Sequence, residues 1–241
     1  MSSGPAWPAV RGVLFDWGGT LSRWADVDLL DLWQAAARHI DADRADELTE
    51  SLLAVEAAMW RRTETTQQST SLSDVLAEAT RTLGVDVAEA VLEEAATHHL
   101  DAWTPHITHD PEAVPTLRAL RDTGLRTGLL SNTMWPRAFH DRFLERDGLL
   151  DLLDVRRYTS EMTHTKPHPS VFLEAAAAIG VDDPAAVVFV GDRPIDDIAG
   201  AKGAGLRAVL RAGGAMPAGD VAPDAEISTL PELLGLVDAW R

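Results

Sequence analysis

Residues 13–21 read VLFDWGGTL. The apolar run Val13–Phe15 predicts a buried β-strand, and Asp16 stands directly after it. Open α/β sheets bind their ligands at the carboxyl ends of the strands, so this position suits a functional carboxylate. The alternative is that Asp16 caps a turn for which Gly18 and Gly19 supply a positive φ angle. This stretch alone leaves both interpretations open.

The composition limits the possible partners and chemistry. Of the 241 residues, 38 are acidic and 21 are basic, which gives a net charge of −17. Such a charge disfavours nucleic acids and anionic membranes as partners. The absence of cysteine excludes disulfides and thiolate catalysis. We expect a globular cytoplasmic protein, because no apolar run approaches the roughly 18 residues of a membrane span and Met1–Pro5 lacks the features of a signal peptide.

Residues 24–104 predict an all-helical module. Apolar residues recur there at spacings of three and four, as in amphipathic helices, beginning with Leu29, Leu30, Trp33, Ala36, Ala37 and Ile40. A polar stretch at residues 61–70 is predicted to interrupt the second helix as a weakly structured segment. Because the module enters right after the first strand, we expect it to cover the strand ends like a lid.

From Pro111 onward, predicted helices and strands alternate. The predicted strands lie at residues 126–130, 154–158, 187–190, 207–210 and 225–228. A helix is predicted over residues 195–204, after the fourth strand of the chain. Alternating elements joined by short turns imply a mainly parallel sheet with helices on both faces. The chain is therefore predicted to adopt an α/β fold with an inserted helical module.

Polar residues stand at the ends of the predicted strands or in the loops beyond them. Ser131, Lys166 and Asp192 share this arrangement with Asp16. Each has a structural alternative, because serine and aspartate often cap helices and lysine is usually solvated. Together they supply a carboxylate nucleophile, a hydroxyl donor, a fixed cation and a metal ligand. This combination favours a single catalytic site.

Four motifs carry a resemblance to a known family. They are DxxGTL at Asp16–Leu21, Ser131-Asn132, Lys166-Pro167 and GDxxxDD at Gly191–Asp197. In this order and spacing they resemble the motifs of the haloacid dehalogenase (HAD) superfamily of phosphohydrolases, over nearly the whole chain. The resemblance implies a Rossmann-like catalytic core formed by residues 1–23 and 105–241, and an α-helical cap formed by residues 24–104.

The resemblance also implies a mechanism. Asp16 would attack phosphorus and form an aspartyl phosphate that water later cleaves. Ser131 would hydrogen-bond a phosphoryl oxygen, and Lys166 would neutralise the transferring group. The expected substrate is a small phosphorylated metabolite. The further residues expected to contact it are Asn132, Gly19 and Thr20.

Mg²⁺ is the implied cofactor. Its expected ligands are Asp16, the carbonyl of Gly18 and Asp192, and Asp197 is expected to support the metal, for example through a bridging water. Oxygen ligands of this kind suit Mg²⁺, and its charge would offset the acidic field of the protein for an anionic substrate. Asp196 is an open alternative to Asp197, although the spacing favours Asp197. The oligomeric state stays open.

Gly18 departs from the pattern of the family's phosphatases. They usually carry a second aspartate at this position, which protonates the leaving group and later activates water. A slow phosphohydrolase is the expected outcome. A haloacid dehalogenase is one alternative, since those enzymes also lack this second acid, but they do without Mg²⁺ and without the acid at Asp192. A catalytically weak or inactive binding protein that kept the fold is the other alternative.

Overall fold

The computed structural model describes residues 7–213 and 219–241, and within them the chain forms one parallel sheet. Its six strands lie in the order β3-β2-β1-β4-β5-β6. They are β1 Gly12–Phe15, β2 Arg126–Ser131, β3 Val155–Tyr158, β4 Val187–Gly191, β5 Arg207–Arg211 and β6 Ala225–Ile227. Every neighbouring pair is parallel, which confirms the predicted α/β class.

The helices of the described residues fall into two groups. Four form the insertion between β1 and β2: α1 Leu29–Ile40, α2 Ala45–Thr66, α3 Leu72–Thr82 and α4 Glu89–Trp103. The others flank the sheet: α5 Ala113–Asp122, α6 Arg137–Arg146, α7 Pro169–Ala178, α8 Gly200–Gly203 and α9 Glu232–Ala239. None of these helices is both long enough and apolar enough to cross a membrane. The predictions that concern Met1–Pro5 lie outside the described residues.

The central strand β1 is buried on both faces of the sheet. Val13 and Phe15 pack into a cluster with residues of α5, α6 and α9, whereas Leu14 packs into a second cluster with residues of α7 and α8. Side chains alternate along a strand, so a strand covered on both faces must be apolar at every position. The run Val13–Phe15 satisfies this requirement, and it fixes β1 at the centre of the sheet.

The inserted helices have a core of their own. Trp33, Leu48, Leu52 and Leu76 are fully buried in it. The prediction that residues 61–70 are weakly structured is wrong for the first part, because α2 continues to Thr66 and ends at Gln67 with φ 55°. Thr63 is buried in this last turn, and the backbone of Gln67 and Ser69 just after it pairs with residues 163–165. Tertiary contacts of this kind outweigh a polar local sequence.

The helix predicted over residues 195–204 is also only partly regular. Residues Pro194–Ala199 form a π-helical turn, and α8 follows. The amides of Asp197 and Ile198 both donate to the carbonyl of Arg193. A wider turn of this type occurs frequently at functional sites. Here it belongs to the loop that carries Asp197.

The inserted helices enter and leave the core side by side. Ser22 pairs with His109, and the backbone amide of Arg23 donates to the carbonyl of Thr108 at 2.9 Å. The cap also contacts the loop before Lys166, because the amide of Thr165 donates to the carbonyl of Gln67 at 2.9 Å. These contacts hold the helices above the carboxyl end of β1. The division into residues 1–23, 24–104 and 105–241 stays a prediction.

Candidate active site

The parallel register brings three of the predicted site residues to one edge of the sheet. Phe15 of β1 pairs with Leu129 of β2 and with Val190 of β4. Asp16 follows Phe15 directly, and Ser131 and Asp192 each stand two residues beyond the paired position. All three side chains are buried, with 6%, 2% and 3% of their residue surfaces exposed, respectively.

Lys166 lies between two carboxylates. Its Nζ atom is 2.6 Å from Oδ1 of Asp16 and 2.6 Å from Oδ1 of Asp197, and the lysine is almost completely buried. Burial by itself would lower the pKa of Lys166, but the two carboxylates more than offset this, and the pKa lies above its usual value. Lys166 is therefore a fixed cation beside Asp16.

Asn132 holds the loop that carries Lys166. Its amide Nδ2 donates to the carbonyl of Lys166 at 3.0 Å, and its Oδ1 accepts from the amide of Lys166 at 2.8 Å. This pair of hydrogen bonds fixes the backbone from which the lysine side chain starts. Asn132 also lines a cavity above Asp16. Its predicted contact with substrate stays a prediction.

Three carboxylates form a candidate metal site. Each of Asp16, Asp192 and Asp197 offers an oxygen atom that lies within 4.8 Å of the others. Oδ2 of Asp192 accepts from Nε1 of Trp24 at 2.9 Å, but Oδ1 of Asp192 is buried and has no partner among the described residues. A buried carboxylate oxygen without a partner is costly, and a hard cation such as Mg²⁺ would satisfy it. The donor set therefore fits Mg²⁺.

The two adjacent acids of the last motif differ in their surroundings. Asp197 is fully buried, with Oδ1 facing Lys166 and Oδ2 accepting from the amide of Arg193 at 2.9 Å. Asp196 instead pairs with the guanidinium of Arg193 at 3.3 Å. The geometry favours Asp197 as the acid beside the metal site, in line with the spacing argument. Because hydrogen bonds engage both of its oxygen atoms, Asp197 is more suited to orienting Lys166 or a metal-bound water than to direct ligation.

Crowding of these acids changes the proton affinity of Asp16. Burial raises the pKa of Asp16, Lys166 opposes this, and Asp197 and Asp192 raise the pKa further, to about 7. Burial also raises the pKa of Asp192. Lys166 therefore does not neutralise the group by itself, and a further cation would favour the ionised form of Asp16 that nucleophilic attack requires.

The glycines of the first motif play different structural roles. Gly19 has φ 76°, and a Cβ atom there would lie 2.3 Å from Oδ2 of Asp192, so only glycine fits. At Gly18 a Cβ atom would meet the ring of Trp24 at 3.4 Å, which is ordinary contact. Thr20 is buried, and its Oγ1 has no partner among the described residues. Gly18 lines the cavity, whereas Gly19 and Thr20 do not.

A cavity of about 360 Å³ opens above Asp16, between the core and the inserted helices. The core side includes Asp16, Trp17, Ser131, Trp135, Lys166 and Arg193. We call the opposite side the cap wall, and its residues are Trp24, Leu29, Glu56, Trp60, Glu64 and Trp103. Sequence patterns did not identify the cap wall or Arg193. One signal was available, because Glu56 falls four residues after Leu52 and three before Met59, on the apolar stripe of α2.

Trp17, next to the nucleophile, is fixed by a relay of hydrogen bonds. Its Nε1 donates to Nε2 of His109 at 3.0 Å, and Nδ1 of His109 lies 2.6 Å from Oδ2 of Asp147. Since Nε2 accepts, Nδ1 carries the proton and donates to Asp147. Burial lowers the pKa of His109 despite the opposing effect of Asp147. A neutral histidine therefore orients the indole ring that follows Asp16.

Comparison with known proteins places this geometry in a family. The chain is 31% identical over 162 residues to the glyceraldehyde 3-phosphate phosphatase of Methanopyrus kandleri, which covers 65% of this chain and 68% of the relative. A structure of a 2-haloacid dehalogenase from Pseudomonas syringae pv. Tomato DC3000 superposes with a TM-score of 0.74 at 30% identity, over 96% of this chain and 100% of that one. A HAD phosphatase from Thermococcus onnurineus gives a TM-score of 0.63 at 26% identity, over 95% and 98% of the two chains.

The family profile of the haloacid dehalogenase-like hydrolases matches residues 10–205. This range contains the whole candidate site, from Asp16 to Asp197, and the inserted helices. The match agrees with the parallel sheet and with the resemblance of the four motifs. The chain therefore belongs to the haloacid dehalogenase-like hydrolase family.

Proposed function

We propose that the protein is a Mg²⁺-dependent phosphomonoesterase of small phosphorylated metabolites and that it acts through an aspartyl phosphate on Asp16. The phosphatase name of a relative at 31% identity supports this proposal. The contact of Lys166 with Asp16 at 2.6 Å supports it as well, since a phosphoryl group at Asp16 would meet a fixed positive charge.

The steps follow from the positions of the side chains. A carboxylate oxygen of Asp16 forms a bond to phosphorus while the bond from phosphorus to the leaving oxygen breaks, and the leaving oxygen takes its proton from water because Gly18 has no acid to give. Lys166 and the hydroxyl of Ser131 bind the phosphoryl oxygens. Water then attacks the same phosphorus, phosphate leaves, and Asp16 is regenerated. Mg²⁺ held by Asp16 and Asp192 would offset the negative charge that develops on the phosphoryl group.

The surroundings of Asp192 distinguish phosphoryl transfer from halide displacement. Its unpartnered Oδ1 beside Asp16 suits a divalent cation, which phosphoryl transfer uses and halide displacement does not need. Two observations favour a second candidate, a 2-haloacid dehalogenase. They are the missing acid at Gly18 and the similarity to a structure of that name at a TM-score of 0.74. In that reaction Asp16 would displace halide from carbon, and no leaving group would need a proton.

A substrate screen separates the two candidates. Phosphate release from an aryl phosphate and a panel of metabolite esters is measured with Mg²⁺ and with a chelator, beside halide release from 2-haloacids. We expect phosphate release that depends on Mg²⁺. Halide release that persists with the chelator would transfer the assignment to the dehalogenase.

Mg²⁺ is expected to raise the midpoint of thermal unfolding (Tm), and to do so more at higher pH. The pKa of Asp16 is raised to about 7 in the folded protein, against about 4 in an unfolded chain. The folded state thus keeps a proton that the unfolded chain releases, and the stability of the metal-free protein falls as the pH rises from about 4 to about 7. Since Mg²⁺ competes with this proton, the gain in Tm should be larger at about pH 8 than at about pH 5.

The control for this measurement is Asp192→Asn. The variant keeps the shape of the side chain but removes half of the proposed metal-binding carboxylate pair. Its Tm should not respond to Mg²⁺ at either pH. An equal gain in the variant and in the unchanged protein would place the bound ion elsewhere.

Gly18→Asp is expected to speed the hydrolysis of alkyl phosphates, with an increase in kcat of about tenfold or more, since general acid catalysis contributes about 10²–10⁴-fold. Alkyl leaving groups need a proton, whereas aryl phosphates should change little. The new Cβ atom fits, at 3.4 Å from the ring of Trp24. Gly18→Asn is the matched control of the same size, and equal kcat values for both variants would show that the missing acid does not limit the reaction.

A further inference from the structure

The cap wall is aromatic and acidic. Trp24, Trp60 and Trp103 supply indole rings, and Glu56 and Glu64 supply carboxylates. Across the cavity, Trp17 and Trp135 bring the number of lining tryptophans to five of the eight in the chain. Indole faces are the best aromatic partners of cations. A carboxylate among indoles adds the opposite charge that a bound cation needs.

The positive charges of the cavity lie on the other side. Lys166 and Arg193 are its basic lining residues, and both belong to the core. Arg61 and Arg62 of α2 are exposed and do not line the cavity. The guanidinium of Arg193 already lies 5.3 Å from the centre of the Trp24 ring, which leaves the indoles of Trp60 and Trp103 for a further cation. The cavity is therefore polarised, with cations beside the nucleophile and with both glutamates on the cap wall.

Glu56 is held in a defined position. Its Oε2 accepts from Nε1 of Trp33 at 2.6 Å. Burial raises the pKa of Glu56, and the hydrogen bond from Trp33 offsets this only in part. No basic side chain among residues 7–213 and 219–241 forms a salt bridge with Glu56. Glu56 thus lines the cavity without a basic partner among the described residues, and a bound cation would favour its ionised form.

We propose that the cap wall binds an alkylammonium group, so that the substrates are phosphate monoesters of amino alcohols. The inference rests on the proposed phosphatase function, because it assigns the leaving group of that reaction. The phosphoryl group occupies the side of Lys166, and the ammonium group lies between Glu56 and the indole faces of Trp60 and Trp103. A cavity of about 360 Å³ has room for a small ester of this kind.

The same polarity argues against two other classes of ester. A second phosphate or a carboxylate at the far end of the substrate would face Glu56 and Glu64, and no basic residue of the cap wall would pair with it. A purely apolar end would fit the indoles but would leave the partly buried carboxyl group of Glu56 without a counter-ion, which is unfavourable. A cationic end satisfies both the indoles and the carboxylate.

The test compares esters that differ only in charge. Phosphocholine is paired with 3,3-dimethylbutyl phosphate, its neutral isostere, and phosphoethanolamine is paired with propyl phosphate. We expect the cationic member of at least one pair to have a kcat/KM at least about tenfold higher, which corresponds to about 1.4 kcal/mol. A ratio below about tenfold in both pairs would overturn the proposal.

Two variants test which residues cause the preference for the cationic ester. Glu56→Gln keeps the size of the side chain and should bring the ratio close to one, mainly by raising KM for the cationic ester. Glu50→Gln is the matched control, because Glu50 is an exposed residue of the same helix and does not line the cavity. A preference that survives Glu56→Gln and also survives Trp60→Leu would refute the assignment to the cap wall.

A binding measurement keeps this inference separate from the phosphatase proposal. Choline and the neutral 3,3-dimethylbutan-1-ol are titrated against the protein, and binding is followed by calorimetry and tryptophan fluorescence. We expect choline to bind at least about tenfold more tightly, with the difference lost in Glu56→Gln. Equal or tighter binding of the neutral alcohol would overturn the cation site even if esters are hydrolysed. Conversely, selective choline binding without hydrolysis of any ester, the aryl phosphate included, would leave the cation site standing and refute the phosphatase function.

Discussion

Asp16→Asn is expected to abolish phosphate release, with a fall in kcat of about 10⁴-fold or more, the order seen when a covalent nucleophile is removed. The amide cannot form the aspartyl phosphate, and it gives up the negative charge that Lys166 and a metal ion would face. The substitution is nearly isosteric, and Asp197 still holds Lys166 at 2.6 Å, so the fold should persist. Steady-state phosphate release with Mg²⁺, beside a circular dichroism spectrum, provides the measurement.

Asp196→Asn is the control for this substitution. Asp196 carries the same charge and lies on the loop of the last motif, but it pairs with Arg193 and is absent from the group of three carboxylates. Its replacement should change kcat by no more than a few-fold. If kcat falls as far in Asp196→Asn as in Asp16→Asn, then Asp196 rather than Asp197 is the acid that supports the metal site. Substantial activity in Asp16→Asn would exclude the covalent mechanism.

Lys166→Met is expected to lower the free energy of unfolding by about 3–5 kcal/mol and to eliminate activity, because removing one partner of a buried ion pair leaves the other charge uncompensated. Lys166 contacts Asp16 and Asp197, and all three side chains are buried. The methionine fills a similar volume, so the loss should come from charge rather than from a cavity. Urea unfolding of the metal-free protein gives the value directly.

Lys202→Met is the matched control for this measurement. Lys202 forms an ion pair with Asp224, in which both side chains are partly exposed, and such a pair contributes about 0–1 kcal/mol. The double variant Lys166→Met with Asp197→Asn removes one of the stranded charges and should be more stable than Lys166→Met alone. Equal losses in Lys166→Met and Lys202→Met would mean that the buried lysine does not stabilise the acid cluster.

The site combines features of two reaction classes. At Gly18 the chain lacks the acid that phosphatases of the family use to protonate the leaving group. Asp192, however, has an unpartnered oxygen atom beside Asp16. Trp24 connects these two positions, since its Nε1 donates to Asp192 and its ring lies against Gly18. The Mg²⁺ dependence of stability therefore tests the metal site at Asp192, and Gly18→Asp tests the missing acid beside it.

The parallel sheet could be predicted because its signal is local. A strand buried on both faces must be apolar throughout, and Val13–Phe15 and Val187–Val190 meet this requirement without any knowledge of their partners. The convergence of Asp16, Ser131 and Asp192 followed from the same pattern, because parallel strands end at one edge. Segments whose structure depends on distant packing were less predictable. The last turn of α2 is the clearest case, because it is polar but Thr63 is buried and the backbone of Gln67 pairs with that of Thr165.

By itself, the sequence determined the α/β class, the inserted helices and the set of residues at the strand ends, because periodicity and motif spacing are properties of the chain. Only the tertiary structure decided how those residues pair. Lys166 contacts Asp16 across 150 positions and Trp24 contacts Asp192 across 168. The tertiary structure also brings together the residues of the cap wall, so that Glu56 lines the same cavity as five tryptophans. Contacts of this kind depend on how the helices cross above the sheet, and no local pattern records that geometry.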